Sequence, residues 1–264
     1  MGVRRYLRII LQFWKSSLIQ AMEYRASFVL SILANALDFT FGLIQYGLFF
    51  TVAKTVAGWE MHHMLAFYGV FMTLFSLHFI FLFPNLEEIG KLTNTGHLDL
   101  LLVKPFSAQV ILSFRRISFD EFGSLFTAQA LLFGLWYTGN LVLTPVHLLG
   151  FAVAMLTSLT LIYALFLGLM ALAIRLEKLE NTAELLWSFF GFCRYPVDVF
   201  PRPVRWLFLG ILPFGFITTV PARALTMGEN PMVIASGLVL SILFLMLARL
   251  FWRGALIGYS SAGG

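Results

Sequence analysis

The sequence predicts an all-α integral membrane protein with six transmembrane helices, an amphipathic helix ahead of the first and a broken, re-entrant hairpin on the outer side before the last. Three observations carry this. Hydrophobic residues make up 59% of the 264 positions and charged residues only 12%, with a mean hydropathy of +0.87, which excludes an ordinary soluble domain. The apolar residues fall into runs close to the roughly 20 that a helix needs to cross a bilayer. The basic residues behind the net charge of +5 crowd beside those runs, where they report orientation and not nucleic-acid binding.

Taken in order, residues 3 to 22 mix Arg4, Arg5, Arg8 and Lys15 with Tyr6, Leu7, Ile10, Phe13 and Trp14. This suits a helix in the headgroup layer, with residues 1–25 as an interfacial segment; a basic flank that only orients the first span reads equally well. The start resembles a signal peptide, but Lys15 interrupts its apolar stretch and no small-residue cleavage site follows, so the segment is expected to be retained. The first span runs from about Ala26 to Val52. The second runs from about Met64 to Phe83 and is closed by Pro84.

Residues 85–120 form the longest polar interlude. The third span (about Phe122 to Thr138) and the fourth (about His147 to Ile174) are joined by the turn "TGNLVLTP", which makes them a hairpin. A short charged connector, "RLEKLEN" at 175–181, precedes an irregular region. There "TAELLWSFFGFC" is apolar but short, "RYPVDVFPRPVR" is rich in proline and arginine, and "WLFLGILPFGFITTV" is interrupted by Pro213 and Gly215. The last span covers about Pro231 to Trp252.

Whether residues 206–220 cross or only dip decides between seven spans and six. With six, thirteen of the eighteen basic residues lie on the cytoplasmic side, leaving Lys54, Arg194, Arg202, Arg205 and Arg223 outside. Seven would put Arg249 and Arg253 outside as well, so six spans with both termini cytoplasmic are expected. The outer region 194–229, with Pro196, Pro213, Gly215 and Pro221, is then a re-entrant hairpin that needs protein or a water-filled cavity around its backbone.

Much chemistry is missing. The Gly90-Lys91 pair continues with Leu92 and lacks the glycines of a phosphate-cradling loop. Cys193 stands alone, so neither an internal disulfide nor a thiolate metal cluster can form within the chain. His62 and His63 fall at an outer helix end, while His78, His97 and His147 are scattered without i, i+4 partners; no metal site is expected. No order of Ser, His and Asp suggests a hydrolase.

Asp38 is the one acidic residue well inside a span. On insertion scales such a carboxylate costs about 2.5–3.5 kcal/mol, so it either faces a cavity or gate or bonds to a neighbour such as Asn35. Asp120 and Glu121 are expected to form a charge cluster with Arg115 and Arg116, Arg116 and Asp120 having i, i+4 spacing. Small residues four apart, Gly150 with Ala154 and Ala164 with Gly168, suit close helix packing inside the bundle.

One segment does not fit a lipid-bound chain. "GHLDLLLVKPF", residues 96–106, starts with Gly96, runs through a leucine stretch too short to span, and stops at Pro105. It reads as a surface knob showing Leu98, Leu101 and Leu102 to another protein while Asp99 and Lys104 stay wet; the alternative is a short helix lying on the membrane.

The same residues carry a resemblance. "TGHLDLLLVKPFS" is similar to the Gly-x-Leu-(Asp/Glu)-x-Leu-Leu-x-x-Pro stretch of ATP-binding-cassette (ABC) exporter permeases of the second type, the class that exports drugs, polysaccharides and lipids. "EYRASF", "YPVDVFP", "LPFGFITTVPARAL" and "YSSAGG" resemble a bacterial branch of that class, in order along nearly the whole chain.

The resemblance implies that residues 85–120 are a cytoplasmic coupling loop in which Gly96, Leu98, Asp99, Leu101, Leu102 and Pro105 form a coupling helix docking on an ATPase. It also implies that the N-terminal segment is an elbow helix and that the hairpin re-enters from outside. One transmembrane permease domain, residues 1–264, would sit in the bacterial plasma membrane beside lipid. It would pair with a second copy or a sister permease and with two cytoplasmic ATPase subunits carrying ATP and Mg²⁺, and hold no cofactor of its own. Two rivals remain: an ion-gradient-driven transporter or channel with Asp38 as ion site, and a membrane anchor that recruits a soluble enzyme.

Overall fold

The computed structural model describes residues 3–23, 25–103, 107–141, 143–176, 188 and 190–259, and these are mostly helical with no strand among them. Four helices are long and apolar enough to cross a membrane: Ala26–Val52, Met61–Thr93 with one break, Pro145–Arg175 and Pro231–Ile257; Phe122–Tyr137 is a shorter apolar helix. The protein is therefore all-α and multi-pass.

Helix α1 (Val3–Glu23) precedes α2 (Arg25–Val52). Helix α3 (Met61–Phe81) contains no charged Asp, Glu, Lys or Arg and is apolar on all sides, which suits a helix surrounded by protein. It continues past a break at Leu82 into α4 (Phe83–Asn94), with Pro84 in the first turn of α4, where its missing N–H costs nothing. Proline was expected to close the helical path here; it only restarts it. The two together are about 50 Å long, well beyond a hydrocarbon core of about 30 Å.

Residues 85–120 are accordingly not an open loop. They fold into α4, α5 (His97–Leu102) and α6 (Ala108–Phe114), and Leu86, Ile89 and Leu98 are fully buried. Helix α4 rests on α8 (Pro145–Leu176). Gln109 Nε2 donates to Tyr163 Oη at 3.0 Å, and Phe114 stacks on Tyr163. From α1, Trp14 Nε1 donates to the Phe114 carbonyl (2.9 Å) and Tyr6 Oη accepts from the Ser107 N–H (2.9 Å), which ties the N-terminal helix to this layer.

Close approach rests on glycines. At Gly69 a Cβ would lie 2.8 Å from Leu132, which lets α3 meet α7 (Phe122–Tyr137), where Gln129 Nε2 also donates to Thr73 Oγ1 at 2.8 Å. Gly42 of α2 makes room for the Tyr68 ring. Helix α8 packs along the last helix, through Gly150 against Ile234 and Thr157 against Gly237, and Ala154 is fully buried. Ala164 is buried too, but Gly168 has open space above it, so the expected small-residue seam is close-packed over part of its length only.

Between residues 190 and 230 the chain is broken into short pieces. Two 3₁₀ turns, Phe192–Arg194 and Val197–Val199, lead to α9 (Arg202–Gly210), α10 (Phe214–Ile217) and α11 (Thr219–Thr226) before α12 (Pro231–Ile257). Helices α10 and α11 are almost entirely buried, against α8 and α3. Pro196 and Pro213 occupy the N-cap positions of the second turn and of α10, Pro221 lies in the first turn of α11, and at Gly215 a Cβ would come 2.6 Å from Leu209.

Irregular backbone in an apolar setting needs internal partners, and hydroxyls supply them. Thr219 Oγ1 accepts from the Val197 N–H (3.0 Å), Thr218 donates to the Cys193 carbonyl (3.1 Å), Ser158 donates to that of Phe216 (3.0 Å), and Tyr46 donates to that of Arg194.

Candidate functional site

Three places concentrate candidate functional residues. The first is a cavity of about 440 Å³ between α2, α3, the start of α7 and the 190–194 turn, lined by Asp38, Phe75, Ser76, Glu121, Phe190 and Arg194 among others. Asp38 lies in the middle of α2, about 20 Å from either end, and its Oδ1 is 3.6 Å from Arg194 Nη2. The arginine is brought there because α2 grips its turn: Tyr46 bonds its carbonyl, and Gln45 Nε2 donates to the hydroxyl of Tyr195 at 2.8 Å.

Asn35 does not bond Asp38 as the sequence suggested. Its amide reaches the Asp120 carbonyl at 3.4 Å. Glu121 accepts from Ser124 (3.3 Å), and its carboxyl is raised above the ordinary range, first by burial and then by the charge of neighbouring Asp120. Ser76 Oγ is buried with no hydrogen-bond partner among the described residues. The wall thus combines two carboxyls, one guanidinium, an unused hydroxyl and phenylalanine faces, an amphipathic lining for a solute of modest size.

The expected cluster of Arg115 and Arg116 with Asp120 does not form. Both arginines turn to Glu88, at 2.6 and 3.0 Å, because α6 ends at Phe114 and i, i+4 spacing places side chains together only on a helix. Asp120 instead accepts from the Ser118 hydroxyl.

The second place is α5. Gly96 precedes it at φ 68°, a left-handed conformation that glycine adopts without penalty. Leu98, Leu101 and Leu102 share one helical face, as their spacing requires, but that face points inward. Leu98 is 0% exposed, and Leu101 and Leu102 pack against the core. The outward apolar residues are Leu100, 59% exposed, and Val103, 81% exposed, next to an exposed His97. Leu98 is therefore a core residue and not part of a docking face. Lys104, Pro105 and Phe106 lie outside the described residues, as does the 175–181 connector from 177 onward.

A third polar group ties the broken region together. Asp198, its side chain 7% exposed, accepts from Trp59 Nε1 (3.0 Å) and pairs with Arg223 (2.5 Å) and Arg205 (3.7 Å). Arg223 also reaches Glu229 at 3.6 Å. Residues 199–222 thus leave from and return to one point, next to the loop between α2 and α3.

The model of the ABC-2 family transporter protein matches residues 36–263, from within α2 to the C-terminal end. The chain belongs to the ABC-2 transporter family. No curated protein and no solved structure matches it. Members of this family are transmembrane subunits of ABC transporters, which associate with ABC ATPases, and α1 is the one described helix wholly outside the matched region of this permease.

The residues that sequence reasoning missed here are Arg194 and Glu88, and Glu121, expected in a charge cluster with Arg115 and Arg116, lines the cavity instead. Asp38 and Arg194 are 156 positions apart, and no local pattern announces their meeting. His78, which the sequence showed only as a scattered histidine, is fully buried among Phe79, Phe83, Phe166 and Phe190 with neither ring nitrogen bonded among the described residues.

Proposed function

We propose that this chain is the permease subunit of an ABC exporter in the bacterial plasma membrane. It pairs with a second copy or a sister permease and is driven by two cytoplasmic ATPase subunits that carry ATP and Mg²⁺. The observation that carries the reading is the family match across almost all of the chain, joined by a six-residue helix at which Leu100 and Val103 stand exposed. In this reading α5, with Gly96 and Asp99 at its start and Pro105 just beyond, is the coupling helix, and its contact face is His97, Leu100 and Val103. Leu98, Leu101 and Leu102 carry ATPase-driven movement inward, into α4 and the core.

The proposed topology has six spans, with α1 as an interfacial elbow and both termini cytoplasmic. The pinning of Asp198 to Arg223 supports an outer re-entrant region at 194–229, since α10 and α11 together are far shorter than the roughly 20 residues of a crossing. Alternating access then exposes the Asp38 cavity to one side and the other in turn, with coupling set by the difference in contact energy between the two states. The ion-gradient reading is disfavoured because Arg194 already sits beside Asp38 as its counter-charge. The anchor reading is disfavoured by a multi-pass bundle that encloses its own cavity.

The test is reconstitution with candidate ABC ATPase subunits from the same organism. ATP-dependent efflux of a panel solute from proteoliposomes is expected; transport that ignores ATP and follows a proton or sodium gradient would overturn the proposal. Topology is checked in a Cys193→Ser background. Cysteines at Gly58 and Asn140 should react with an impermeant thiol reagent from outside only, and one at Thr95 from inside only.

A further inference from the structure

The loop between α2 and α3 carries chemistry that transport does not use. Val56 and Trp59 exchange backbone hydrogen bonds of 3.0 and 2.9 Å around Ala57 and Gly58, both at positive φ. Trp59 is 1% exposed and bonded to Asp198. The chain thus leaves a pinned tryptophan directly into Glu60, and α3 follows with His62 and His63 in its first turn.

Glu60, His62 and His63 each place one ligand-type atom within 4.8 Å of the others. The Nδ1 of His62 stands 3.5 Å from Oε2 of Glu60, too long for a good hydrogen bond. It is close to the separation of about 3.4 Å between neighbouring donors around a tetrahedral metal with bonds of about 2.0–2.1 Å. The two imidazole rings lie 3.9 Å apart, centroid to centroid, and Nδ1 of His63 is shielded from solvent without a hydrogen-bond partner among the described residues. Two imidazoles pressed together beside a carboxylate, with one nitrogen unused, form an incomplete metal shell.

We propose that Glu60, His62 and His63 bind one divalent transition-metal ion of the zinc type, with water completing the shell. This departs from the sequence reading, which placed His62 and His63 at an outer helix end and expected no metal site. Two nitrogen donors and one carboxylate suit Zn²⁺, Ni²⁺ or Cu²⁺ and not Ca²⁺ or Mg²⁺. Glu60 has a particular role, because the partial positive charge of the α3 N-terminus opposes a cation and its carboxylate offsets that. A bound ion fastens the loop holding Trp59, and through it Asp198, to the first turn of α3, so it stiffens the mouth of the broken region.

The test is Zn²⁺ titration by calorimetry on the full chain in nanodiscs, purified on a tag that contains no histidine, with Cu²⁺ electron paramagnetic resonance as a spectroscopic readout. One Zn²⁺ per chain is expected, with Cu²⁺ showing hyperfine coupling to two nitrogens that falls to one in His62→Ala. Glu60→Gln, an exposed position that leaves both histidines in place, should weaken Zn²⁺ binding by at least the roughly tenfold that a lost outer-shell partner costs. His97→Ala should bind like wild type. Unchanged binding in His62→Ala/His63→Ala or in Glu60→Gln, or no saturable Zn²⁺ binding by the wild-type chain, would overturn the site.

Discussion

Helices α2 and α3 are neighbours, are both strongly apolar and are both long enough to cross a bilayer, yet 78% of the apolar window that includes α3 is buried inside the protein and only 6% of that in α2. Hydropathy treats them alike because lipid and protein interior are equally apolar. What separates them is the means of making contact. Helix α3 brings Gly69, Thr73 and Tyr68 to its neighbours, a gap for one side chain and hydroxyls for others. Helix α2 confines its polar residues Asn35, Asp38 and Gln45 to contacts with Asp120, Arg194 and Tyr195. It leaves Leu30, Leu33, Leu37, Phe41, Ile44 and Leu48 exposed. One helix is scaffold; the other is a wall with a polar seam.

The contrast is broken most directly in the core. Phe67→Ala on α3, where the ring is 0% exposed, should cost about 3–5 kcal/mol, while Leu37→Ala on the bare face of α2, 58% exposed, should stay within about 0.5 kcal/mol. Thermal unfolding in one detergent compares them; equal losses would mean α2 is as closely packed as α3. Next come the glycines. Gly69→Val meets Leu132 and should cost about 1–3 kcal/mol through overpacking, whereas Gly47→Val on α2, with nothing near its Cβ, should be neutral.

How much of this was legible follows the same division. The long helices were plain from hydropathy: spans read at 26–52, 147–174 and 231–252 appear at Ala26–Val52, Pro145–Arg175 and Pro231–Ile257. The shared face of Leu98, Leu101 and Leu102 was legible from helical spacing. Its direction was not, because a leucine stripe looks the same whether it meets the protein's own core or a partner. The cavity was legible only at Asp38, since Glu121 and Arg194 arrive from distant segments. The Arg116–Asp120 pairing failed where a helical rule was applied to residues that are not helical.

A smaller effect sharpens the polar seam. Asp38→Asn keeps size and hydrogen-bonding capacity while removing the charge that faces Arg194. Normal abundance with reduced ATP-dependent transport is expected, and Asp38→Arg combined with Arg194→Asp should restore part of it. Wild-type transport in Asp38→Asn would show that the charge is dispensable and the seam purely structural.

The claim that this permease is driven through α5 is tested most directly by Leu100→Glu/Val103→Glu. Both side chains are exposed, so the variant should insert and reach normal abundance. Charges placed where an ATPase cleft would be dry should still cost several kcal/mol of binding. The measurement is co-purification of the ATPase from nanodiscs, with ATP-dependent transport on the same preparations. Loss of both with the membrane bundle intact is the predicted result; full ATPase retention and full transport would contradict it.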